Sequence, residues 1–374
     1  MTYWKELRWL NAFGWWPLYE KNPKIRKLYR YYGYALFISD FIQVGPEYIA
    51  LFVRMREGSF RKTILNLNTT LAGTTCAIKL LHLFHQENRI ANIIDEIDEL
   101  EDRGSSEIGD KIEHIKKPIE RRKSITWNIV QTFVVFSLHW LVTPILMGLQ
   151  GVKRPIIDSW TPWTQETWSG WALTLGFQSV HVFTAIVGLF MTNCLYISIL
   201  ESILLNFNIL HQMLLDLDFE KNTSKFGDYI TYHQNLLRVT KEVNNIFGRV
   251  QQMQCITVIA ISCFSVIEIN ENTPVNRLLN LIELVSSVLF FFLLDCYLSQ
   301  SVSEASSNVA RCAYQNNWYL ASFKDRKALK LMHERSKKPQ MFGGFIIIEL
   351  NTFITVIKSA FSYYNFLKAI DMKT

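Results

Sequence analysis

Seven ionisable side chains stand inside or at the edge of apolar runs: Asp40, Glu47, Lys79, Glu283, Asp295, Glu349 and Lys358. A charge at the centre of a bilayer costs about 3 kcal/mol even on permissive insertion scales, so each is a functional suspect. Those near the end of a run can extend the charged group to the interface. Glu349 and Lys358 lie well inside the last run. There Lys358 needs either a protein partner or a water-filled path, and the sequence leaves both open.

Other candidate chemistry is sparse. His82 and His85 have a spacing that can hold a metal, but no third ligand accompanies them, so neither a metal nor a cofactor is expected. Cys76, Cys194, Cys255, Cys263, Cys296 and Cys312 show no ligand spacing or disulfide framework and read as buried thiols. Asn68 and Asn222 begin glycosylation patterns. The first opens a membrane helix and the second falls in an expected cytosolic segment, which argues against use. The acidic run at 95–102 reads as a solvated helix face. No dinucleotide, P-loop, nucleophile-elbow or zinc-protease motif is present, so the chain is not expected to be an enzyme.

The elements that hold these residues follow from composition. Of 374 residues 49% are hydrophobic, 14% aromatic and only 19% charged, and the charge is collected between long apolar stretches. The net charge of +6 does not imply nucleic acid, because the basic residues flank apolar runs, where they face headgroups and water. About twenty apolar residues span the hydrocarbon core. Candidate spans lie at 31–53, 64–85, 125–147, 171–200, 247–267, 278–299 and 342–367; hydropathy alone gives five of the seven clearly. The chain is expected to be an all-α polytopic membrane protein, a single domain over 1–374. No cleaved signal peptide is expected, so the first span acts as its own insertion signal.

An odd number of spans puts the termini on opposite sides. Basic runs at Lys24, Arg26, Lys27 and Arg30, at Arg121, Arg122 and Lys123, and at Arg335, Lys337 and Lys338 place the N-terminus in the cytoplasm and the C-terminus outside. Tyr229, Leu236, Val243 and Val250 are spaced by seven, as are Tyr232, Val239, Ile246 and Met253. This pattern fits either a coiled-coil partner or packing on the chain's own bundle. In both cases helical extensions at 201–246 and 300–341 form a cytoplasmic anchor layer; the last span, 342–370, is the pore helix only by the resemblance given next.

The segment from Ser306 to Lys368 carries a specific pattern: Ser306, Val309, Ala313, Tyr314, Trp318, Tyr319, Arg326, Lys327, Leu329, Met332, Arg335, Ser336, Lys338, Pro339, Gly343, Thr352, Phe353, Val356, Lys358, Ser359, Ser362 and Tyr363. It resembles the C-terminal signature of insect odorant receptors. Lys337 departs from a frequent Gln. The resemblance implies a divergent odorant-binding subunit of a tetrameric, odorant-gated, non-selective cation channel. Its partners would be shared co-receptor subunits, in the plasma membrane of olfactory sensory neurons. The short 201–246 connection distinguishes it from the co-receptor. A gustatory receptor would show Thr-Tyr and a later Gln-Phe, where this chain has Ser362-Tyr363-Tyr364. A G-protein-coupled receptor would have the opposite topology, and a transporter would show paired repeats.

The resemblance also implies site residues. The ligand pocket is expected in the outer half, between the second, third, fourth and sixth spans. Candidates there are Leu67, Leu71, Thr74, Phe136, His139, Trp140, Thr143, Phe177, Gln178, Asn280, Glu283 and Leu284. Ordinary helix packing is the competing role for each. Phe366 and Ile370 fall at the apolar gate, with Thr355, Lys358 and Tyr363 further inward; the positive charge of Lys358 argues against its facing a cation pore alone. Tyr314, Trp318, Tyr319 and Met332 are expected at the subunit interface.

Overall fold

The computed structural model describes residues 4–16, 23–58, 60–221, 223–269 and 274–371, and leaves undescribed the side chains of 23, 60–62, 65, 223 and 367–371. Among the described residues ten α-helices follow one another: α1 (Lys5–Ala12), α2 (Pro23–Arg56), α3 (Phe60–Ile108), α4 (Lys111–Ser137), α5 (His139–Leu149), α6 (Trp168–Leu215), α7 (Phe226–Glu268), α8 (Val275–Cys312), α9 (Phe323–Ser336) and α10 (Leu350–Asp371). A chain in lipid must satisfy its backbone polar groups internally, and the helix does so within one segment. Among the described residues the only β-type pairing is a single bridge between Gly343 and Ile347.

Among the described residues five stretches are long and apolar enough to cross a membrane: 24–56, 111–149, 168–215, 226–268 and 275–312. The expected second and seventh spans are α3 and α10. Lys79 and the threonines dilute the hydropathy of α3, yet α3 packs against α2, α6 and α7 at the centre of the bundle. Its lysine is satisfied there by the side-chain oxygen of Asn193. The third span is α4 followed by α5, with a break at Leu138.

Helix length builds the second layer. The 48 residues of α6 extend about 72 Å, more than twice the hydrocarbon thickness. Helices α3, α7 and α8 overrun it similarly, at the end of the bundle that carries α1. The largest core lies there, around Ile94, Ile97, Phe207, Leu210, Leu236, Val239, Val302 and Leu329. Tyr229, Tyr232, Leu236, Val239, Val243 and Ile246 are all buried within the chain. The seven-residue repeat therefore packs on its own bundle. Gly104 lets α3 approach closely, because a Cβ there would come within 2.5 Å of Ile209 and 2.9 Å of the Tyr232 hydroxyl.

The last helix begins at Leu350 rather than at 342. Gly343 has φ +99°, a region that favours glycine. Asn244 Oδ1 accepts from its N–H at 2.8 Å. With the amide oriented to suit its neighbours, Gln252 accepts from the N–H groups of Gly344, Phe345 and Ile346 at 2.6, 2.6 and 3.1 Å. This turn fixes where α10 begins.

Candidate ligand cavity and pore helix

The cavity is built where α3, α4, α5, α6 and α8 converge, beyond the main core. Its volume is about 100 Å³. Helix α3 contributes Thr69, Ala72, Gly73 and Cys76, which recur at i, i+3, i+4 and i+7 and so share one face. Ser137 and Trp140 come from the α4–α5 break. Helix α6 gives His181, Val182, Ala185, Ile186, Leu189 and Phe190, and α8 gives Glu283, Leu284 and Ser287. Gly73 matters because a larger side chain would occupy the space itself.

A roof covers one side of the cavity. Ile157, from the segment joining α5 to α6, completes the wall. Gln178, fully buried, holds that segment. Its Oε1 accepts from the N–H groups of Ile156 and Ile157 at 2.8 and 3.2 Å, and its Nε2 donates to the Ile157 carbonyl and Ser159 Oγ at 2.8 Å each. Asn66 donates to the Asp158 carbonyl at 2.7 Å, and Arg54 pairs with the Asp158 carboxylate at 3.0 Å. The segment is thus tied to α2, α3 and α6.

The polar side chains form two clusters. Glu283 accepts from Ser137 and, at 2.6 Å, from the Trp140 indole. His139 lies beside it, joined to Asn280. On the other wall His181 Nδ1 meets Asp40 Oδ1 at 3.1 Å and its Nε2 faces Glu47 Oε1 at 3.5 Å. Thr184 also donates to Asp40. These contacts account for three of the intramembrane charges.

Of the residues expected at the pocket, Trp140, Glu283 and Leu284 line it. Gln178 acts one layer above, through the roof. His139 and Asn280 brace each other beside Glu283. The others are not on the wall. Leu71 packs with Val258, Val288 and Val356 in a second core between α3, α7, α8 and α10. Thr74 meets the hydroxyl of Tyr48 at 3.1 Å, on the α2 side. Phe136 and Phe177 are exposed on the bundle's outside. Leu67 and Thr143 are half-buried away from the cavity. On α3 the expected stripe is displaced by two residues, about 200° around the helix. A larger cavity, about 640 Å³, lies near α1 among Trp4, Glu6, Asp98 and Lys123. Its charged lining holds water well and suits an apolar molecule poorly.

Helix α10 packs on α7 and α8 through Phe353, Val356 and Ala360. Phe353 packs at a tilt against Phe292 with ring centres 6.1 Å apart. The opposite face carries Asn351, Thr355, Lys358, Ser362 and Phe366, all exposed, with Tyr363 exposed beside them. The spacing of four, three, four and four makes one stripe, polar for most of its length. Lys358 is therefore not buried in an ion pair within its own chain. Ile370 lies among the side chains outside the described residues. In the α1-end layer, Tyr314 packs edge-on against His333 and Trp318, and Trp318 against Tyr319. Trp318 and Tyr319 are exposed. Met332 is buried in its own core with Leu329, so it does not present a surface to a neighbouring subunit.

With this geometry established, comparison with known proteins decides the family. The sequence model described as 7tm Odorant receptor matches residues 59–361. The chain belongs to the insect odorant receptor family. It is 21% identical to Odorant receptor 85c of Drosophila melanogaster over 346 residues, covering 88% of each chain. It is 23% identical to Odorant receptor 85b of the same species over 253 residues, covering 65% of this chain and 64% of the relative. The fold of the receptor matches that of the insect olfactory receptor OR5 from Machilis hrabei in complex with eugenol. That comparison has a TM-score of 0.87 at 15% identity and covers 98% of this chain and 97% of the other. A second structure of the insect olfactory receptor OR5 from Machilis hrabei gives a TM-score of 0.84 at 14% identity, covering 97% of this chain and 96% of the other. The receptor is thus a multi-pass membrane protein of the odorant-binding branch rather than the shared co-receptor, and not an enzyme. The gustatory and G-protein-coupled alternatives are disfavoured.

Proposed function

We propose that a small volatile molecule occupies the cavity between α3, α4–α5, α6 and α8 and opens a cation path lined by α10. The observation that carries this is the position of α8. Glu283, Leu284 and Ser287 touch the cavity, while Val288, Phe292 and Cys296, one to three turns on, pack with Val356 and Phe353 of α10. A ligand that favours one setting of α8 shifts α10 only through differential affinity for the two settings, and this shared helix supplies the contact. The polar stripe on the uncovered face of α10 suits a water-filled path, which a second subunit must complete. Phe366 supplies the apolar constriction that can close it by dewetting.

The partners in this reading are odorant receptor co-receptor subunits in a heterotetramer, within the plasma membrane of olfactory sensory neurons. Tyr314, Trp318 and Tyr319 would face them. The N-terminus and the anchor layer lie in the cytoplasm and the C-terminus outside, with α10 as the pore helix. Whole-cell current in cells expressing this chain with and without an insect co-receptor, across a panel of small volatiles, tests the reading. Odorant current only with both subunits is expected. Robust odorant current from this chain alone would refute the need for a partner.

A further inference from the structure

The cavity wall can be surveyed donor by donor. Trp140 Nε1 donates to Glu283 Oε2 at 2.6 Å. Thr69 Oγ1 donates to the Asn66 carbonyl at 3.0 Å, and Ser287 Oγ to the Leu284 carbonyl at 3.0 Å. The Cys76 thiol points to the Ala185 carbonyl at 3.3 Å. The two nitrogens of His181 are directed at Asp40 and Glu47. The Ile157 N–H is held by Gln178. The remaining helix N–H groups are spent within their helices. Every donor on the wall is therefore directed at an acceptor of the protein.

Acceptors are in surplus. Glu283 offers two oxygens, each with room for a further bond, and the hydroxyls of Thr69 and Ser287 retain lone pairs. Behind His181, Asp40 Oδ2 and Glu47 Oε2 are buried acceptors with no donor, while Glu47 Oε1 faces His181 Nε2 at 3.5 Å. The imbalance does not depend on the charge of Glu283. If Glu283 is protonated, its hydrogen is taken by Ser137 Oγ, whose own hydrogen goes to the Phe133 carbonyl at 2.7 Å.

Resting on the pocket reading above, we infer that this cavity selects ligands that donate a hydrogen bond, through O–H or N–H, over ligands of the same shape that only accept one. Small alcohols, phenols and amines meet the Glu283 carboxyl. Ethers, ketones and esters set their lone pairs against lone pairs. A site built around one hydrogen-bonding role rejects the analogue that lacks the matching group far more strongly than it rejects a change of one methylene.

The test uses the receptor assembled with co-receptor subunits in nanodiscs, titrated with shape-matched pairs: benzyl alcohol against benzaldehyde, and cyclohexanol against cyclohexanone. Gly73→Leu, which fills the cavity, identifies cavity-dependent binding. The donor member of each pair is expected to bind at least tenfold more tightly, and Gly73→Leu to abolish the difference. Glu283→Gln places an amide donor on the wall, and the ratio should fall toward one. If that variant fails to fold, Trp140→Phe frees Glu283 Oε2 and the ratio should widen. Equal affinities within pairs, lost in Gly73→Leu, would overturn this inference and leave the pocket standing. No cavity-dependent binding by any member would overturn the pocket reading and this inference together.

Discussion

Replacing Gln178 by Ala removes the side chain that holds the cavity roof. The wild-type amide makes four hydrogen bonds to residues 156–159 from a buried position. A net hydrogen bond contributes about 1 kcal/mol, and a buried group left unpaired costs about 1 to 3 kcal/mol. The two N–H groups share one acceptor, and water can reach some of the freed atoms once the roof lifts. The structure therefore supports a loss of about 3 kcal/mol of roof docking, which raises the open population about 150-fold. The rest of the segment keeps its ties, since the Trp163 indole still donates to Thr174 at 2.8 Å and the Trp171 indole to the Arg154 carbonyl at 3.1 Å. Hydrogen exchange on the purified receptor should show protection lost at 156–159 and retained in α6. The odorant concentration for half-maximal current should rise at unchanged surface expression. Unchanged exchange at 156–159 would refute the roof.

Four further outcomes follow from the same geometry. Gly73→Leu should remove the odorant response while surface expression persists, because a Cβ at Gly73 meets only ordinary contacts at 3.7 Å and the longer chain then fills the cavity; a preserved dose–response curve would count against the site. Gln252→Ala strips the acceptor from three N–H groups in the turn before α10, so maximal current should fall while odorant binding, measured directly, stays the same. Lys358→Gln removes a positive charge from the exposed stripe of α10 and should raise cation current, as read from single-channel conductance. The fourth concerns acid. Burial, with Arg335 and His211 nearby, pushes the His233 imidazole down to about 4. Its ordinary value is about 6.5, so the unfolded chain takes up a proton first. Stability is complete above that value and falls as pH drops toward 4, by about 3 kcal/mol in all. Melting temperatures at pH 7 and pH 5 should differ less in His233→Gln than in the parent.

Five spans were legible from length and hydropathy alone, whereas α3, diluted by Lys79 and its threonines, and α10 needed further argument. The anchor layer was legible because the apolar spacing of α6 and α7 runs past the membrane. What periodicity could not choose was the direction each face points. Helix α3 is bounded by protein on several sides, so the stripe at 67, 71 and 74 is as apolar as the one at 69, 72, 73 and 76 that reaches the cavity. On α6 the first turns were expected to line the pocket, but Gln178 is covered by the segment carrying Ile157. That segment has no period to read. The late start of α10 depends on the backbone of Gly343 and on the amide of Gln252, which hydropathy does not register. Met332, expected at the subunit interface, sits three residues from Leu329 on the same buried stripe of α9. The polar stripe of α10 was the easier reading, because one face of a membrane helix stands out when it carries Asn351, Thr355, Lys358 and Ser362.

The central claim is that filling this cavity sets the conductance, and Ser287→Cys tests it most directly. Ser287 lines the cavity on the helix that goes on to contact α10. Because Cys76 already places a thiol on the wall, the variant is made on a Cys76→Ser background. Cells expressing it with the co-receptor would be treated with a small methanethiosulfonate while current is recorded, and a lasting change in current is expected that the Cys76→Ser receptor lacks, slowed by prior exposure to an activating odorant. Complete labelling of Cys at 287 with an unaltered odorant response would contradict it.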